Sequence, residues 1–526
     1  MDRPNSCYSG QCGCSCIGQG LLAGAAVQNK MPQKVVTSLH RTCSGLLPRG
    51  TAKWLLALVL VGAEHVHAEV FSFDQVPVPG PHTLQTHYMF YVRSAQEAAA
   101  FKGTSTVTFK NLVMKAPSSS PESVQNYNSL QVSIMPVKDF WKLIDLSKFC
   151  ADHNDVQEQK ATAENTLLFK EKPPSDVVVV HTVRASTSSD ESVSVPSSGA
   201  YVLVFSNCGE LDSLTVSGTV EVQNPWGFLS AIEYNKKPMY GFLAVFYAFT
   251  ATAWSLLALR WWKQLMYIQK GIMALNVICA IEAIAWYSLY MAWNSSGDYN
   301  MVMFLAAGLA ACWKMIVAFR IVLMSSADDE EDRDDSRTSS LKVHLALMVY
   351  MVLDFNMRTV MTFRHTRALN ISFILLNSVP AVLMGTVMFI WTHMSLVNLI
   401  SELRSKNNEG KASFFQKVQG VMVLAVPAAG LSVALQIFDP TVSDESLWGY
   451  HFLTADGISQ LAFAFMLCLG MAVAMPRESL QGYEYTVQAQ TEAGNVIGAP
   501  GSVWDDDDCE AEAEPSNKVA PSGGIE

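Results

Sequence analysis

From Pro238 onward the chain is organised by seven long apolar stretches: Met239–Trp261, Gly271–Trp293, Met301–Met324, Val343–Phe363, Ala368–Trp391, Val418–Phe438 and His451–Met475. Each has roughly 20 residues or a little more, enough at about 1.5 Å per residue to cross a hydrocarbon core about 30 Å thick as a helix. The fourth, with Asp354, Asn356 and Arg358, is the most polar. Composition agrees with a membrane protein: 16% of the 526 residues are charged and 50% are apolar. The formal net charge of −11 leaves no overall electrostatic reason to bind nucleic acid.

The N-terminal half has a different texture. Trp54–Ala63 is an apolar run of about ten residues after Arg49 and Lys53, followed by Val66-His67-Ala68. It is too short to span and has the form of a signal-peptide core with a small-residue cleavage site before Glu69. Residues 1–50 make an unusual signal n-region, so either translation starts at Met31 or they are an extension. Cys7, Cys12, Cys14 and Cys16 within it are candidates for metal or lipid attachment, with no histidine nearby to support a metal. From Glu69 to Lys237 the chain is polar, with short β-rich stretches at 105–109, 130–134, 177–183, 201–205 and 214–222. Turn clusters lie between them at 117–121 and 186–198. That punctuation predicts an antiparallel sandwich, with a helical insert from Val137 to Cys150. Only Cys150 and Cys208 lie in this region, and two cysteines in an exported domain most simply pair.

A cleaved signal puts the sandwich in the lumen and, after seven spans, the C-terminus in the cytosol. Basic residues fit in two loops, Arg260, Lys263 and Lys270, then Arg404, Lys406, Lys411 and Lys417. The sequons at Asn294 and Asn370 fall on the luminal side as glycosylation candidates. Arg364 and Arg367 in a short luminal loop, and the acidic run from Asp328 to Asp335, dissent. Residues 477–526 are polar, with Asp505–Asp508, Glu510, Glu512 and Glu514, and predict a disordered acidic tail.

Several stretches resemble the GOST family, the GOLD-domain seven-transmembrane proteins also called lung-seven-transmembrane proteins. Ser198–Cys208 resembles the end of that family's sandwich, and Asn224-Pro225-Trp226-Gly227-Phe228-Leu229-Ser230-Ala231 its junction before the first helix. Lys314–Arg320 resembles the basic half of its third helix, Thr392–Lys411 its amphipathic linker, and Trp448, Leu453, Asp456 and Pro476-Arg477-Glu478-Ser479 its seventh helix and end. The likeness covers about residues 195–485 in order. The family's glycine-rich turn after the third helix is absent here, replaced by the acidic run. The resemblance implies a GOLD-like luminal sandwich on a seven-helix bundle in Golgi and endosomal membranes. It implies a part in protein traffic, including endosome-to-Golgi retrieval, with luminal cargo, cytosolic sorting or coat proteins and membrane lipid as partners. It also implies a central cavity able to hold a phospholipid.

Ionisable residues at bilayer depth are costly and face partners or cavities. Here they are Glu282, Lys314, Asp354, Arg358 and Asp456. Counting from the cytosolic helix ends places Glu282 about 16 Å deep and Lys314 about 15 Å, with Asp354 in the same layer. A Glu–Lys–Asp network is therefore expected, with Arg358 near Asp456 toward the lumen. Two readings stay open: a structural network holding the helices in register, or a polar cavity in which Glu282 gates ions or binds a head group. Pro380 and Pro427 are candidate breaks in the fifth and sixth helices. The seventh stretch has no lysine for a retinal Schiff base, and no phosphate loop, HExxH or GxSxG motif occurs. The sequence calls for no catalysis, metal or cofactor other than that lipid. The function classes are thus a trafficking protein, a Golgi cation channel or pH regulator, and a G-protein-coupled-receptor-like receptor, for which the DRY and NPxxY sequences are missing.

Overall fold

A computed structural model describes residues 70–94, 103–115, 130–170, 179–183, 190–195, 197–209, 211, 214–260, 262, 265–327, 333–363, 371–439, 441 and 445–476. The signal-peptide segment, the N-terminal cysteine cluster, residues 328–332 of the acidic run, Arg364, Arg367, Asn370 and the acidic tail lie outside them.

Eight strands form two four-stranded antiparallel sheets. They are β1 (Val70–Pro77), β2 (Thr83–Val92), β3 (Thr106–Lys115), β4 (Leu130–Pro136), β5 (Val179–Thr182), β6 (Glu191–Ser194), β7 (Gly199–Asn207) and β8 (Thr215–Gln223). One sheet has the order β1-β8-β3-β6, the other β2-β7-β4-β5. Phe73, Phe109, Val220 and Val222 of the first share a core with Phe90, Val132, Leu203 and Phe205 of the second, making the expected sandwich. Strand β3 alternates buried and half-exposed residues, as a one-sided strand should, whereas β4 is buried throughout. The reason is a cover on its outer face: Phe140 and Ile144 pack with Met135, Val204 and Leu167.

Helix α1 (Val137–Leu143) is shorter than the insert expected from Val137 to Cys150. The Asp145 carboxylate accepts from the backbone and hydroxyl of Ser147 at 3.0 and 2.7 Å, a local turn that competes with helix. Cys150 then extends to bridge Leu167. Its disulfide to Cys208 at the end of β7, with Cα atoms 5.2 Å apart, ties this cover to the sheet. A capped single turn, α2 (His153–Gln157), follows. Strands β1 and β2 lie outside the stretches named from sequence, and β6 lies in the serine-rich stretch read as a turn cluster. Gly218 allows a bulge between β3 and β8: at φ +143°, a Cβ there would meet the Asn111 carbonyl at 2.6 Å.

A second bulge, between Thr86 and Tyr88, sets His87 against Phe73 and Phe205, with ring centroids 5.9 and 4.6 Å apart. Burial pushes the imidazole down from 6.5 to about 4. With the folded value below the unfolded one, stability is intact above pH 6.5 and falls as pH drops toward 4, by up to about 3 kcal/mol. Thermal melts of His87→Leu beside wild type should show the acid-dependent loss only in wild type; parallel pH profiles would refute the assignment.

Seven helices among the described residues are long and apolar enough to cross a membrane. They are α3 (Lys236–Arg260), α4 (Tyr267–Ser296), α5 (Met301–Ala327), α6 (Arg333–Phe363), α7 (Ile371–Ser405), α8 (Glu409–Ile437) and a last span from Ser446, which enters by 3-10 and π turns and continues as α9 (Ile458–Val473). Consecutive spans pack on one another, α5 also touches α7, and α9 returns to α4. Pro380 and Pro427 sit inside α7 and α8 without ending either helix. The amphipathic stretch Thr392–Lys411 is no separate linker: α7 runs through it to Ser405 and α8 starts at Glu409.

Candidate functional site

The midmembrane charges sort into three partnerships. Glu282 on α4 and Lys314 on α5 meet at 2.6 Å, with Nζ of Lys314 facing Oε2 of Glu282. Gln460 on α9 closes a triangle: its amide nitrogen donates to Glu282 Oε1 at 3.0 Å, and its oxygen accepts from Lys314 at 3.0 Å. The Lys314 ammonium also lies 4.6 Å from the centre of the Phe463 ring. All three polar side chains are buried, Glu282 being 1% exposed. Buried away from solvent, each satisfies the others, and spans two, three and seven are held at one height.

Asp354 does not join that triangle as the third charge. It bonds the Nε of Arg358, one turn along α6, at 2.8 Å. Nor does Arg358 take Asp456: Lys236, at the start of α3, lies 3.4 Å from Asp456 and 2.7 Å from Glu233. Equal depth brought Glu282 and Lys314 together, but an i,i+4 partner on the same helix is available to Asp354 without any interhelical fit. Asp456 sits in a π turn, Leu453–Gly457, where the N–H of Ile458 reaches back to the Leu453 carbonyl. The extra residue frees the Ala455 carbonyl, which accepts from Gln436 of α8 at 2.8 Å.

Above this layer the sandwich is joined to the bundle. Asn294, near the end of α4, donates to the Trp226 carbonyl at 2.8 Å and accepts from the Leu229 N–H at 3.2 Å. Its side-chain amide, a glycosylation candidate from sequence, is thereby engaged in holding the linker. Trp448 packs edge-on to Tyr91 of β2 at 5.3 Å, and Asn235 donates to the Gly449 carbonyl at 2.9 Å. Gly297 caps α4 at φ +74°, where a Cβ would strike Val70 of β1. At the opposite end Gln269 donates to the Ala474 carbonyl at 3.0 Å, tying the second span to the seventh.

Sequence reasoning missed Gln460, Lys236, Glu233, Asp439 and His451. Gln460 stands one turn beyond Asp456 and so shares its face, a spacing that scanning for charges alone passes over. Among the described residues no group of three or more His, Cys, Asp or Glu side chains is placed to hold a metal ion.

The model of the GOST seven-transmembrane domain matches residues 235–478, which contain the whole triangle and all seven spans. This bundle is a GOST seven-transmembrane domain. The resemblance read in the sequence is thus borne out over that segment. Transmembrane protein 87A of Xenopus tropicalis is 21% identical over 300 residues, 55% of this chain and 53% of its own length. Transmembrane protein 87A of Homo sapiens is 21% identical over 277 residues, covering 52% of this chain and 49% of that one. Transmembrane protein 87B of Mus musculus is 23% identical over 215 residues, 40% and 38% of the two chains. The chain spans about half the length, or less, of these curated relatives. Within the GOST domain, Lys314 is the buried partner of Glu282, while Arg320, two turns on, is exposed.

Proposed function

We propose that this chain is a non-catalytic seven-span protein of Golgi and endosomal membranes that binds luminal protein cargo and takes part in its sorting and retrieval. The supporting observation is that a disulfide-stapled sandwich is docked on a bundle whose five midmembrane charges each have an internal partner of opposite sign. That is the construction of a rigid binding platform. The sandwich carries a GOLD-like role, and Trp141 and Leu146, 60% and 55% exposed on the stapled cover, offer a surface for cargo. Basic residues Arg260, Lys270, Arg404 and Lys406 gather at the end of the bundle away from the sandwich, supporting a cytosolic face there for sorting or coat proteins. A tagged copy should sit in Golgi and endosomal membranes and cross-link to luminal proteins, with less captured by a stable Trp141→Ala/Leu146→Ala variant. Residence at the cell surface alone, or capture unchanged by the variant, would contradict the reading.

A cation channel or pH regulator remains the second reading. It is favoured by polar groups lining spans one, two and seven: Asp456, Gln460, Glu282, then Asn276, bonded to Thr250 at 2.9 Å, and Gln269. Arg358 and Asp456 keep 28% and 33% of their side chains exposed, so the phospholipid head group implied by the family would meet charges of both signs there. In this reading Glu282 is the gate.

A further inference from the structure

Between the sandwich and the seventh span, His451, Asp439 and Glu233 form a second set of charges that neither reading uses, joined to the Lys236–Asp456 pair through Glu233. His451 is fully buried, at 0% exposure. Its Nδ1 is 2.8 Å from Asp439 Oδ2 and its Nε2 is 3.9 Å from Glu233 Oε1. Glu233 is shared, since Lys236 meets it at 2.7 Å and reaches on to Asp456 at 3.4 Å. The Thr441 and Thr454 hydroxyls donate to Asp439 Oδ1 at 2.6 and 2.9 Å. Burial raises the Asp439 carboxyl, but the bonds from His451 and Thr441 outweigh it and hold the group below the usual carboxylate range. Tyr290 and Tyr299 lie near Glu233 and Asp456, and Tyr240 lies near Asp456.

Among the described residues the cluster holds three carboxylates, Glu233, Asp456 and Asp439, and one ammonium, Lys236, which pairs with the first two. Imidazole is the side chain whose charge ordinarily changes between pH 5 and 8, and its protonation supplies a second cation between Asp439 and Glu233. The position matters because both partners belong to the joint. Glu233 is on the linker just after Ala231 and Ile232, which pack with Tyr91 of the sandwich and Trp448 of the last span. Asp439 follows Phe438, the C-cap of α8, and His451 lies between Trp448 and the π turn.

We infer that His451 is a pH-responsive fastener of the sandwich to the seventh span, tightened by acid. As pH falls the imidazolium bridges the loop after α8 to the linker; as pH rises the joint keeps an excess of buried negative charge and loosens. This acts opposite to His87, whose protonation weakens the sandwich itself.

Hydrogen exchange tests it, on the full chain in nanodiscs and in a His87→Leu background that removes the sandwich's own acid response. Peptides covering 226–240 and 445–457 are read at pH 5.5 and 7.5, with exchange corrected for its intrinsic pH dependence. Protection should rise about tenfold on acidification, the effect of one buried charge pair worth about one pH unit. It should be flat in His451→Gln and in Asp439→Asn, so that either variant carries the test if the other fails to assemble. Equal corrected protection at both pH values in the parent, or a tenfold rise retained in a folded His451→Gln or Asp439→Asn variant, would overturn it.

Discussion

Replacing Lys314 with methionine should cost the folded bundle about 3–5 kcal/mol, because it strands a buried carboxylate. Glu282 is 1% exposed and would be left with the neutral Gln460 amide alone at 3.0 Å. The double substitution Glu282→Gln/Lys314→Met removes both charges, keeps a hydrogen-bonding amide opposite Gln460 and should recover most of the loss. Melting of the four proteins in detergent gives the coupling directly. Additive single losses, with no recovery in the double variant, would show that the pair does not lock spans two, three and seven.

Loss of the Cys150–Cys208 disulfide should cost the sandwich about 4 kcal/mol, given that the bond spans 58 residues. The damage should be local first. Residues Phe140 and Ile144 cover the outer face of β4 and β7, and without the staple that cover frays before the sheets separate. Cys150→Ala/Cys208→Ala should lower the first melting transition and expose the amides of residues 137–150, while α4 and α5 keep their protection. A change under about 1 kcal/mol would mean that packing alone fixes the cover.

The spans were legible because bilayer thickness forces long apolar stretches onto any sequence that crosses it. The Glu282–Lys314 contact was legible too, since depth along two antiparallel helices is counted at a fixed rise. Depth says nothing about azimuth, however, so Asp354 in the same layer turned instead to Arg358 on its own helix. Lys236 reads as a flank before the first span, yet it is buried at 4% and takes Asp456. Strand β4 hid its setting in the opposite way: its continuous burial depends on a cover packed on its outer face, which no local pattern encodes. His87 was hidden because a bulge in β2 turned it inward against Phe73 and Phe205.

We propose that the paired charges of this GOST domain hold the helices together and do not carry ions. Current across liposomes containing the purified full chain, wild type beside Glu282→Gln, tests it most directly. Silence from folded, correctly inserted wild-type protein is the expected result. A cation current that Glu282→Gln abolishes would contradict the account and make Glu282 the gate.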